Sequence, residues 1–376
     1  MAAPQLSKIK IAYVLPTLDK GGAERFLVDL ILNLDRKIFA PHLFLFKRGG
    51  EWLTELSVAD IPVTIFKKRL KIDPFNFWRL FYALKKFRPA IVHTELGGDF
   101  YGRLIAKILK TPVIIATEQN INPDESLLNN LIKKISNRWS DKIVAISLAV
   151  QKDIISRYRT TPDKITVIYN GINSQRFLDG SKNLSSASKQ AGNSEIVFGT
   201  LGRLSPQKGQ SVLINAWHQV KNPDLHCLIA GDGKLADSLN KQIQDLDLAD
   251  KVKLVGPVSN PAAYLNSLAA FVFPSLWEGL GLVILEAGLI GRPIIASAVD
   301  GITEIIDEST GYLVPAGDAE ALALKLDWLA TNLDNPETLA KSAKLRQKIM
   351  ANFDIPKIAA QYQALYQELL IAKKIL

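Results

Sequence analysis

Two glutamates, Glu278 and Glu286, flank a glycine-rich turn inside the apolar segment 275–297, SLWEGLGLVILEAGLIGRPIIAS. The pattern predicts a strand that ends near Ser275, then the turn, then an apolar helix that begins near Leu280. The N-terminus of such a helix presents unpaired N–H groups and a partial positive charge, so it binds anions such as phosphate. Carboxylates would repel a phosphate. We therefore expect both glutamates to accept hydrogen bonds from hydroxyl groups of a sugar or ribose that carries the phosphates.

The eight-residue spacing predicts that Glu286 lies about two helical turns in, roughly 12 Å along the axis, which suits a ligand longer than one phosphate. The alternative interpretation is a capped helix with two solvated glutamates. That alternative is weak for Glu286, because it sits in the apolar run LVILEAGLI, where an unpaired charge is costly.

A second glycine-rich segment, residues 199–217, carries two cations. Arg203 follows a predicted strand, and Lys208 and Gly209 directly precede a predicted helix in GTLGRLSPQKGQSVLINAW. Two cations on one loop can neutralise a diphosphate. Both side chains could instead be ordinary surface charges, but the presence of the first segment favours phosphate binding.

Residues 17–31, TLDKGGAERFLVDLI, repeat the arrangement of a strand, paired glycines and a helix. Gly21 and Gly22 lie in the first loop that follows a strand, and this loop is expected to face a cleft between two domains. A pair of glycines is a weak signal by itself, and a simple turn between strand and helix is the alternative.

Short β-rich runs alternate with helix-like segments along the whole chain, which predicts parallel sheets with helices on both faces. The predicted strands are residues 8–16, 42–46, 62–66, 90–95, 112–118, 142–147 and 165–171, then 195–203, 226–231, 252–256, 270–275, 293–297 and 311–316. The predicted fold class is therefore α/β, with two doubly wound Rossmann-like domains that face each other across a cleft. Ligands bind such sheets at the carboxyl ends of the strands.

The predicted domain boundaries follow from composition. Residues 178–194 are rich in serine, glycine and lysine and read as a linker. They separate an N-terminal domain, 1–177, from a C-terminal domain, 195–355, that would bind a nucleotide sugar. Residues 356–376 are predicted to form a helix that packs back on the first domain.

These segments together resemble the family-4 retaining glycosyltransferases of the GT-B fold. The resemblance runs through GGAER, VAIS, YNG, GRLSPQKG, AGDG and VGPV to the E-x7-E element of Glu278 and Glu286, and so covers the whole chain. The E-x7-E element with its flanks is specific, whereas AGDG alone is not. The resemblance implies a transferase that moves a hexose-type sugar from a nucleotide-diphosphate sugar, such as a UDP- or GDP-sugar, and keeps its anomeric configuration.

The resemblance also implies a role for each matching residue. Arg203 and Lys208 would hold the donor diphosphate, Glu286 the ribose hydroxyls and Glu278 hydroxyls of the transferred sugar. The backbone N–H groups of Gly281, Leu282 and Val283 would hold the distal phosphate. Gly22, the second residue of the Gly21–Gly22 pair, would cover that phosphate from the other domain. The base would lie near AGDG and Val258.

One position departs from the family pattern. Many relatives carry a histidine after the fifth strand, in a sequence like T-E-H-N, where residues 117–120 of this chain read T-E-Q-N. Gln119 can form hydrogen bonds with a sugar but cannot titrate, so the catalytic role could move to Glu118. His93, in the predicted strand IVHTE, could substitute, or it could be a structural histidine at a strand end.

The chemistry expected is a front-face displacement, because no carboxylate pair reads as the nucleophile and acid of a retaining glycosidase. The leaving diphosphate would be stabilised by Arg203, Lys208 and the helix N-terminus, and would help to take the acceptor's proton. No metal or other cofactor is expected, and the D-x-D sequence of Asp245 and Asp247 reads as solvated surface. Two alternatives stay open: a nucleotide-sugar-binding protein without transferase activity, and a GT-B epimerase that acts on the nucleotide sugar alone.

Charge is distributed unevenly along the 376 residues. Residues 1–180 carry 28 basic and 17 acidic side chains, a net charge of +11, and the remainder carries −2. Residues 67–88, KKRLKIDPFNFWRLFYALKKFR, predict a basic aromatic helix that Pro74 opens and Asp73 caps. Such a helix suits an anionic membrane surface, and the alternative is a core-packing helix with a basic outer face.

These features set the expected partners and location. No apolar run approaches the length of a membrane span, and the first residues do not read as a signal peptide. We expect a cytoplasmic protein, peripheral on the inner face of the membrane, whose acceptor is a lipid-linked or cell-envelope glycan. No motif of a nucleic-acid-binding fold occurs, so nucleic acid is not an expected partner.

Overall fold

A computed structural model describes residues 8–19, 21–66, 73–96, 99–121, 123, 125–182 and 195–376. The chain divides into two compact units. Unit 1 consists of Met1–Gly171 together with Ile355–Leu376, and unit 2 consists of Ile172–Asp354.

All thirteen predicted strands are confirmed, with ends that differ by a few residues. In unit 1 they are β1 (Ile9–Leu15), β2 (Phe39–Leu45), β3 (Val63–Ile65), β4 (Ile91–Glu95), β5 (Val113–Glu118), β6 (Lys142–Ala145) and β7 (Ile165–Val167). In unit 2 they are β8 (Ile196–Leu201), β9 (Leu225–Ala230), β10 (Val252–Gly256), β11 (Ala270–Phe273), β12 (Ile294–Ser297) and β13 (Tyr312–Val314).

The helices alternate with these strands. The first six belong to unit 1: α1 (Gly22–Leu32), α2 (Leu53–Val58), α3 (Pro74–Phe87), α4 (Asp99–Ile108), α5 (Leu127–Asn137) and α6 (Leu148–Tyr158). Unit 2 contains α7 (Ser174–Lys182), α8 (Gln210–Trp217), α9 (Ala236–Asp245), α10 (Pro261–Ser267), α11 (Leu282–Ile290), α12 (Asp300–Thr303), α13 (Ala319–Thr331) and α14 (Pro336–Asn352). The last helix, α15 (Ile355–Ala372), returns to unit 1.

The sheet of unit 1 has seven parallel strands in the order β3-β2-β1-β4-β5-β6-β7. Its central strands β1, β4 and β5 are almost entirely buried, as expected when helices cover both faces of a parallel sheet. The strand order reverses between β1 and β4, and this reversal creates the crevice in which such sheets bind ligands. Glu95 ends β4 and Glu118 ends β5, so both carboxylates lie at the carboxyl edge of the sheet, and Glu95 lies beside that crevice.

Helix α15 completes the core of unit 1. The buried hydroxyl of Tyr366 forms hydrogen bonds with the Tyr13 hydroxyl of β1 at 2.9 Å and with Nδ1 of His93 on β4 at 2.7 Å. The ring of Tyr362 packs 6.1 Å from the ring of Phe26 on α1. Residues more than 270 positions apart in the chain therefore share one buried cluster.

The sheet of unit 2 has six parallel strands in the order β10-β9-β8-β11-β12-β13. Its core combines apolar residues of the strands, such as Phe198 and Val272, with those of α8 and α13, such as Trp217 and Leu326. The order reverses between β8 and β11. The loops that follow these two strands therefore meet at the site where ligands bind in this fold.

The N-terminus of α3 confirms its predicted cap. The side chain of Asp73 accepts a hydrogen bond from the backbone N–H of Asn76 at 3.1 Å, and Pro74 occupies the first helical position. Pro is favoured there because its missing N–H group would have no partner in the first turn.

The predicted linker is wrong in its first part. Residues 174–182 form α7, so 178–182 are helical, and residues 172–177, predicted to belong to the N-terminal domain, lie in unit 2. The rest of the predicted linker, 183–194, lies outside the described residues, as does 67–72 of the predicted basic helix.

Caps explain why a polar segment forms α7. The Asn173 side chain accepts a hydrogen bond from the Arg176 N–H at 3.0 Å, and the Ser174 hydroxyl donates to Oδ1 of Asp354 at 2.7 Å. Hydrogen bonds of this kind stabilise a helix start without adding hydrophobicity. A polar composition therefore concealed a short helix.

Candidate active site

The two candidate loops of unit 2 touch at the carboxyl edge of the sheet. The loop after β8 passes through a short 3-10 turn at Pro206–Lys208 and reaches Gly209, whose φ is +65°. A Cβ atom on Gly209 would lie 2.0 Å from the carbonyl oxygen of Pro274, the first residue after β11. Glycine is required here for two reasons: the left-handed backbone and the close approach of another backbone.

Hydrogen bonds hold the same two loops together. The backbone N–H of Leu276 donates to the carbonyl oxygen of Gln207 at 2.8 Å, and Nε2 of Gln207 donates to the carbonyl oxygen of Trp277 at 3.1 Å. The position of Lys208 relative to Glu278 is therefore fixed by the backbone on both sides.

Lys208 and Glu278 form a charged pair. Nζ of Lys208 lies 2.5 Å from Oε1 of Glu278, which also accepts a hydrogen bond from the Ser275 hydroxyl at 2.9 Å. Glu278 is only 5% exposed, whereas the Lys208 side chain is 22% exposed. Nζ also lies 5.1 Å from the centre of the Phe273 ring. The residues predicted to contact a diphosphate and a sugar are thus adjacent, with the lysine more exposed.

Helix α11 begins at Leu282, two residues later than predicted, because Gly281 adopts a left-handed φ of +80° before the first turn. Its N-cap residue is a glycine, which has no side chain to occupy the first N–H groups. The N–H groups of Leu282 and Val283 are therefore available to an anion.

The predicted depth of Glu286, about two turns into the helix, is wrong. Because α11 begins only at Leu282, Glu286 is the fifth helical residue, just over one turn in, and Glu278 precedes the helix. Burial raises the pKa of the Glu286 carboxyl from 4.5 to about 7. Its neighbours Leu285 and Ala287 are buried, while Glu286 itself stays partly exposed.

If Glu286 binds the ribose hydroxyls, as the family resemblance implies, we expect the affinity for a nucleotide sugar to rise as pH increases through about 7, because the ionised carboxylate is the stronger hydrogen-bond acceptor. Stability should change in the opposite direction. Between pH 4.5 and about 7 the folded protein binds more protons than the unfolded chain, so the free energy of unfolding falls as pH rises. Calorimetric binding and urea unfolding across this range measure both trends. Identical pH profiles for the wild type and Glu286→Gln would contradict the assignment.

Arg203 and Val258 lie in loops of unit 2 that follow β8 and β10, the strands on either side of β9. Arg203 is exposed directly after β8, where the backbone contacts the AGDG segment that follows β9. A Cβ atom on Gly231 would lie 1.8 Å from the carbonyl oxygen of Gly202, so this contact again requires glycine. Val258 follows β10 and is partly exposed. The segments after β8, β10 and β11 thus supply the predicted site residues of unit 2, and the AGDG segment lies at the end of β9.

In unit 1, the glycine pair begins α1. Gly21 is the N-cap with extended backbone, and Gly22 is the exposed first residue of the helix, directly after the loop that follows β1. A Cβ atom on Gly21 would lie 2.1 Å from a carboxylate oxygen of Glu24 in the first turn. The pair therefore occupies the carboxyl edge of the unit 1 sheet, beside the strand-order reversal.

Gln119 is held on both sides of its amide group. Nε2 donates to Oε2 of Glu95 at 3.1 Å, and Oε1 accepts from Nδ2 of Asn170 at 2.7 Å. The amide nitrogen of Gln119 thus faces Glu95 and its oxygen faces Asn170. Neither Glu95 nor Asn170 is among the predicted site residues. One signal in the sequence could have identified Glu95: it is a carboxylate at the end of a buried strand, next to the point where the strand order reverses.

Glu118 is engaged by α5. Its Oε2 accepts a hydrogen bond from Nζ of Lys133 at 3.0 Å, and the same ammonium group lies 3.5 Å from Oε1 of Glu125. Glu118 is 5% exposed. The carboxylate predicted as an alternative catalytic group thus lies in a buried ion-pair cluster.

His93 is a structural residue. It is fully buried, and its ring nitrogens form hydrogen bonds with the Tyr366 hydroxyl and the Thr117 hydroxyl, each at 2.7 Å. Burial lowers the pKa of the imidazole to about 3, so the ring is neutral. The proposal that His93 substitutes for the family's histidine is therefore wrong.

Two family models match the sequence. The model for Glycosyltransferase Family 4 matches residues 20–176, and the model for Glycosyl transferases group 1 matches residues 181–346. The amylovoran biosynthesis glycosyltransferase AmsK of Erwinia amylovora is 30% identical, with 89% of this chain and 81% of that protein covered. The UDP-Gal:alpha-D-GlcNAc-diphosphoundecaprenol alpha-1,3-galactosyltransferase of Escherichia coli is 27% identical, with 98% of this chain and 99% of that protein covered.

The fold has close counterparts among solved structures. HepE of Anabaena, solved in complex with UDP-glucose, is similar with a TM-score of 0.84 at 24% identity, with 96% of this chain and 100% of that chain covered. A glycosyltransferase of Rickettsia africae has a TM-score of 0.83 at 23% identity, with 97% and 99% covered. Two Rossmann-like units of this kind define the GT-B class of glycosyltransferases. The chain belongs to glycosyltransferase family 4.

Proposed function

We propose that the protein transfers a hexose-type sugar from a UDP- or GDP-sugar to a lipid-linked or cell-envelope glycan acceptor, with retention of anomeric configuration. The observation that carries this proposal is the arrangement of Lys208, Glu278 and the N-terminus of α11. A cation, a sugar-binding carboxylate and free N–H groups are supplied by two loops that touch at one edge of the unit 2 sheet.

These groups suit a diphosphate that leaves with increasing negative charge. Lys208 and the N–H groups of Leu282 and Val283 stabilise that charge, and Arg203 adds a second cation from the same loop as Lys208. Glu278 accepts hydrogen bonds from the transferred sugar and Glu286 from the ribose. The proposal assigns charge stabilisation to these groups without a metal ion.

Retention follows from a front-face displacement. The acceptor oxygen forms a bond to the anomeric carbon as the bond to the diphosphate oxygen breaks, and the acceptor's proton passes to that departing oxygen. No carboxylate is assigned as a nucleophile, because Glu278 is already paired with Lys208 and Ser275. For unit 1 the proposal keeps the roles that the family resemblance implies: Gln119 contacts the donor sugar, and Gly22 of the Gly21–Gly22 pair contacts the distal phosphate.

The acceptor class is supported by relatives. The name of the Escherichia coli relative specifies a galactose donor and a diphosphoundecaprenol-linked acceptor, and AmsK is named for amylovoran biosynthesis. We infer an acceptor of the same kind here, carried on a polyprenyl diphosphate or a growing envelope polysaccharide.

Helix α3 supports contact with an anionic membrane from the cytoplasmic side. Phe75, Trp78 and Tyr82 are 72%, 52% and 62% exposed, and Lys85 and Lys86 are exposed near its C-terminus. Exposed aromatic rings beside basic side chains are typical of helices at a membrane interface. The opposite side of α3 packs on the core through Leu80 and Leu84, so the alternative, a core-packing helix, describes only one face.

The proposal is tested by incubating the protein with UDP-, GDP- and ADP-hexoses and a polyprenyl-diphosphate-linked sugar. We expect one donor to raise the melting temperature and to be consumed only when acceptor is present. The anomeric coupling constant of the product, measured by NMR, should match that of the donor. Donor binding without transfer would favour a binding protein, conversion of donor to an epimer without acceptor would favour an epimerase, and an inverted product would exclude retention.

A further inference from the structure

Helix α5 is oriented with its polar side toward the protein. Nζ of Lys133 is bound to Glu118 at 3.0 Å, and Oδ1 of Asn137 accepts a hydrogen bond from Nη1 of the fully buried Arg103 at 2.7 Å. Nδ2 of Asn137 donates to the Thr160 hydroxyl at 3.0 Å. Ion pairs and hydrogen bonds, rather than apolar contacts, therefore attach much of this helix to unit 1.

The opposite side of α5 is apolar and exposed. Leu127 is 88% exposed, Leu128 66%, Leu131 52% and Ile135 39%. Positions 127, 128, 131 and 135 fall on one stripe of a helix with 3.6 residues per turn. A surface helix normally turns such a stripe toward the core. Here the polar and apolar sides are reversed, and contiguous exposed apolar surface of this kind marks an interaction site.

Charge identifies an anionic lipid surface as the partner. Helix α3 carries the exposed Arg79, Lys85 and Lys86, α5 adds the partly exposed Lys134, and neither helix contains an aspartate or glutamate. Lys133 does not contribute to this charge, because it is paired with Glu118 and Glu125. Both helices contact α4, so they flank it on one face of the unit 1 sheet. The exposed side chains of this layer therefore combine basic groups, interfacial aromatic rings on α3 and aliphatic side chains on α5.

The mode of contact follows from helix length. Among the helices that the structure describes, none is long and apolar enough to cross a membrane. An eleven-residue helix with one apolar side lies instead in the plane of the interface, with that side in the acyl boundary and basic groups near the headgroups.

We propose that α5 is a membrane-inserting helix that places Leu127, Leu128, Leu131 and Ile135 in the hydrocarbon boundary of an anionic bilayer. The biological role of this insertion, access to a lipid-linked acceptor, rests on the proposed function. The structural argument for insertion does not, because it depends on the orientation of α5 and not on the residues of unit 2. Helix α3 supplies the long-range electrostatic attraction, and α5 supplies the apolar insertion.

The test is co-sedimentation of the full chain with vesicles of phosphatidylcholine and phosphatidylglycerol in equal parts. Leu128→Gln/Leu131→Gln keeps helix-forming residues and the net charge, and is expected to weaken vesicle binding at least tenfold, since each buried leucine contributes a transfer free energy of that order. This loss should persist at high salt. Lys85→Gln/Lys86→Gln should instead weaken binding mainly at low salt, because salt screens its contribution.

A matched control is Leu324→Gln, on α13 of unit 2, where the leucine is 62% exposed; it should bind vesicles like the wild type. Equal vesicle binding by the α5 variant and the wild type would overturn the inference. A wild type that forms dimers and does not bind vesicles, together with an α5 variant that is monomeric, would also overturn it, because the apolar side of α5 would then be a dimer interface. Donor-induced thermal shift and transfer to a short-chain soluble acceptor should be unchanged in the α5 variant. If the wild type shows neither the donor-induced thermal shift nor transfer, the proposed function is contradicted, whereas vesicle binding still tests the role of α5 independently.

Discussion

Replacement of Lys208 by alanine is expected to lower kcat by about 10²–10³, the usual effect of removing one group that stabilises charge in the transition state. The reason is geometric: Lys208 is the partly exposed member of the pair with Glu278, and its Nζ lies 5.1 Å from the centre of the Phe273 ring, which Gly281, the N-cap of α11, also approaches. Single-turnover measurement of sugar transfer at saturating donor would isolate this step. Lys241→Ala, at an exposed position on α9, is the control and should retain full activity.

The Lys208 variant also leaves the carboxylate of Glu278 in a site that is 5% exposed, which lowers stability because a buried charge loses its partner. The double variant Lys208→Ala/Glu278→Gln removes both charges and should recover part of the melting temperature without recovering turnover. Recovery of turnover together with stability would show that Lys208 acts only through folding. Near-normal turnover in the single variant would remove the proposed mechanism.

Replacement of Gly209 by alanine is expected to reduce donor binding and transfer strongly and to destabilise unit 2. The new Cβ would lie 2.0 Å from the Pro274 carbonyl oxygen, so the loops after β8 and β11 must separate. That separation moves Lys208 away from Glu278. The left-handed backbone adds a cost of about 1–2 kcal/mol for any residue with a side chain. Calorimetric titration with the donor and thermal unfolding measure the two effects.

Gly291→Ala provides a control for the backbone effect alone. Gly291 also has a left-handed φ, +82°, at the end of α11, but a Cβ atom there would meet nothing within 4 Å. We expect this variant to lose only the stability that the strained backbone costs and to bind donor like the wild type. If the two variants behave alike, the contact between the loops has no role in the site.

The strands could be predicted because parallel strands buried on both faces leave continuous apolar runs, and this signal is local. The site loops of unit 2 could be predicted for a related reason: glycines beside charged residues at strand ends mark close backbone approach. The start of α11 was misplaced because the apolar run continues through Leu280, while the left-handed Gly281 decides where the helix begins.

Other features depend on tertiary contacts that no local pattern encodes. The amphipathic sequence of α5 predicts a helix but does not tell which side faces the protein; that choice follows from the partners of Lys133 and Asn137, which come from other segments. Glu95 and Asn170 lie 75 residues apart in the chain, and only the fold brings both to Gln119. The interior position of His93 likewise depends on Tyr366, near the end of the chain.

The return of α15 to unit 1 sets an order of assembly during translation. Unit 2 is one continuous stretch, so all of its residues are synthesised before α15. The core of unit 1 contains Tyr366 against Tyr13 and His93, and these contacts must wait for that final helix. N-terminal domains usually complete their folding first during translation. Here we expect the opposite order, because the core of unit 1 is incomplete until α15 has been synthesised.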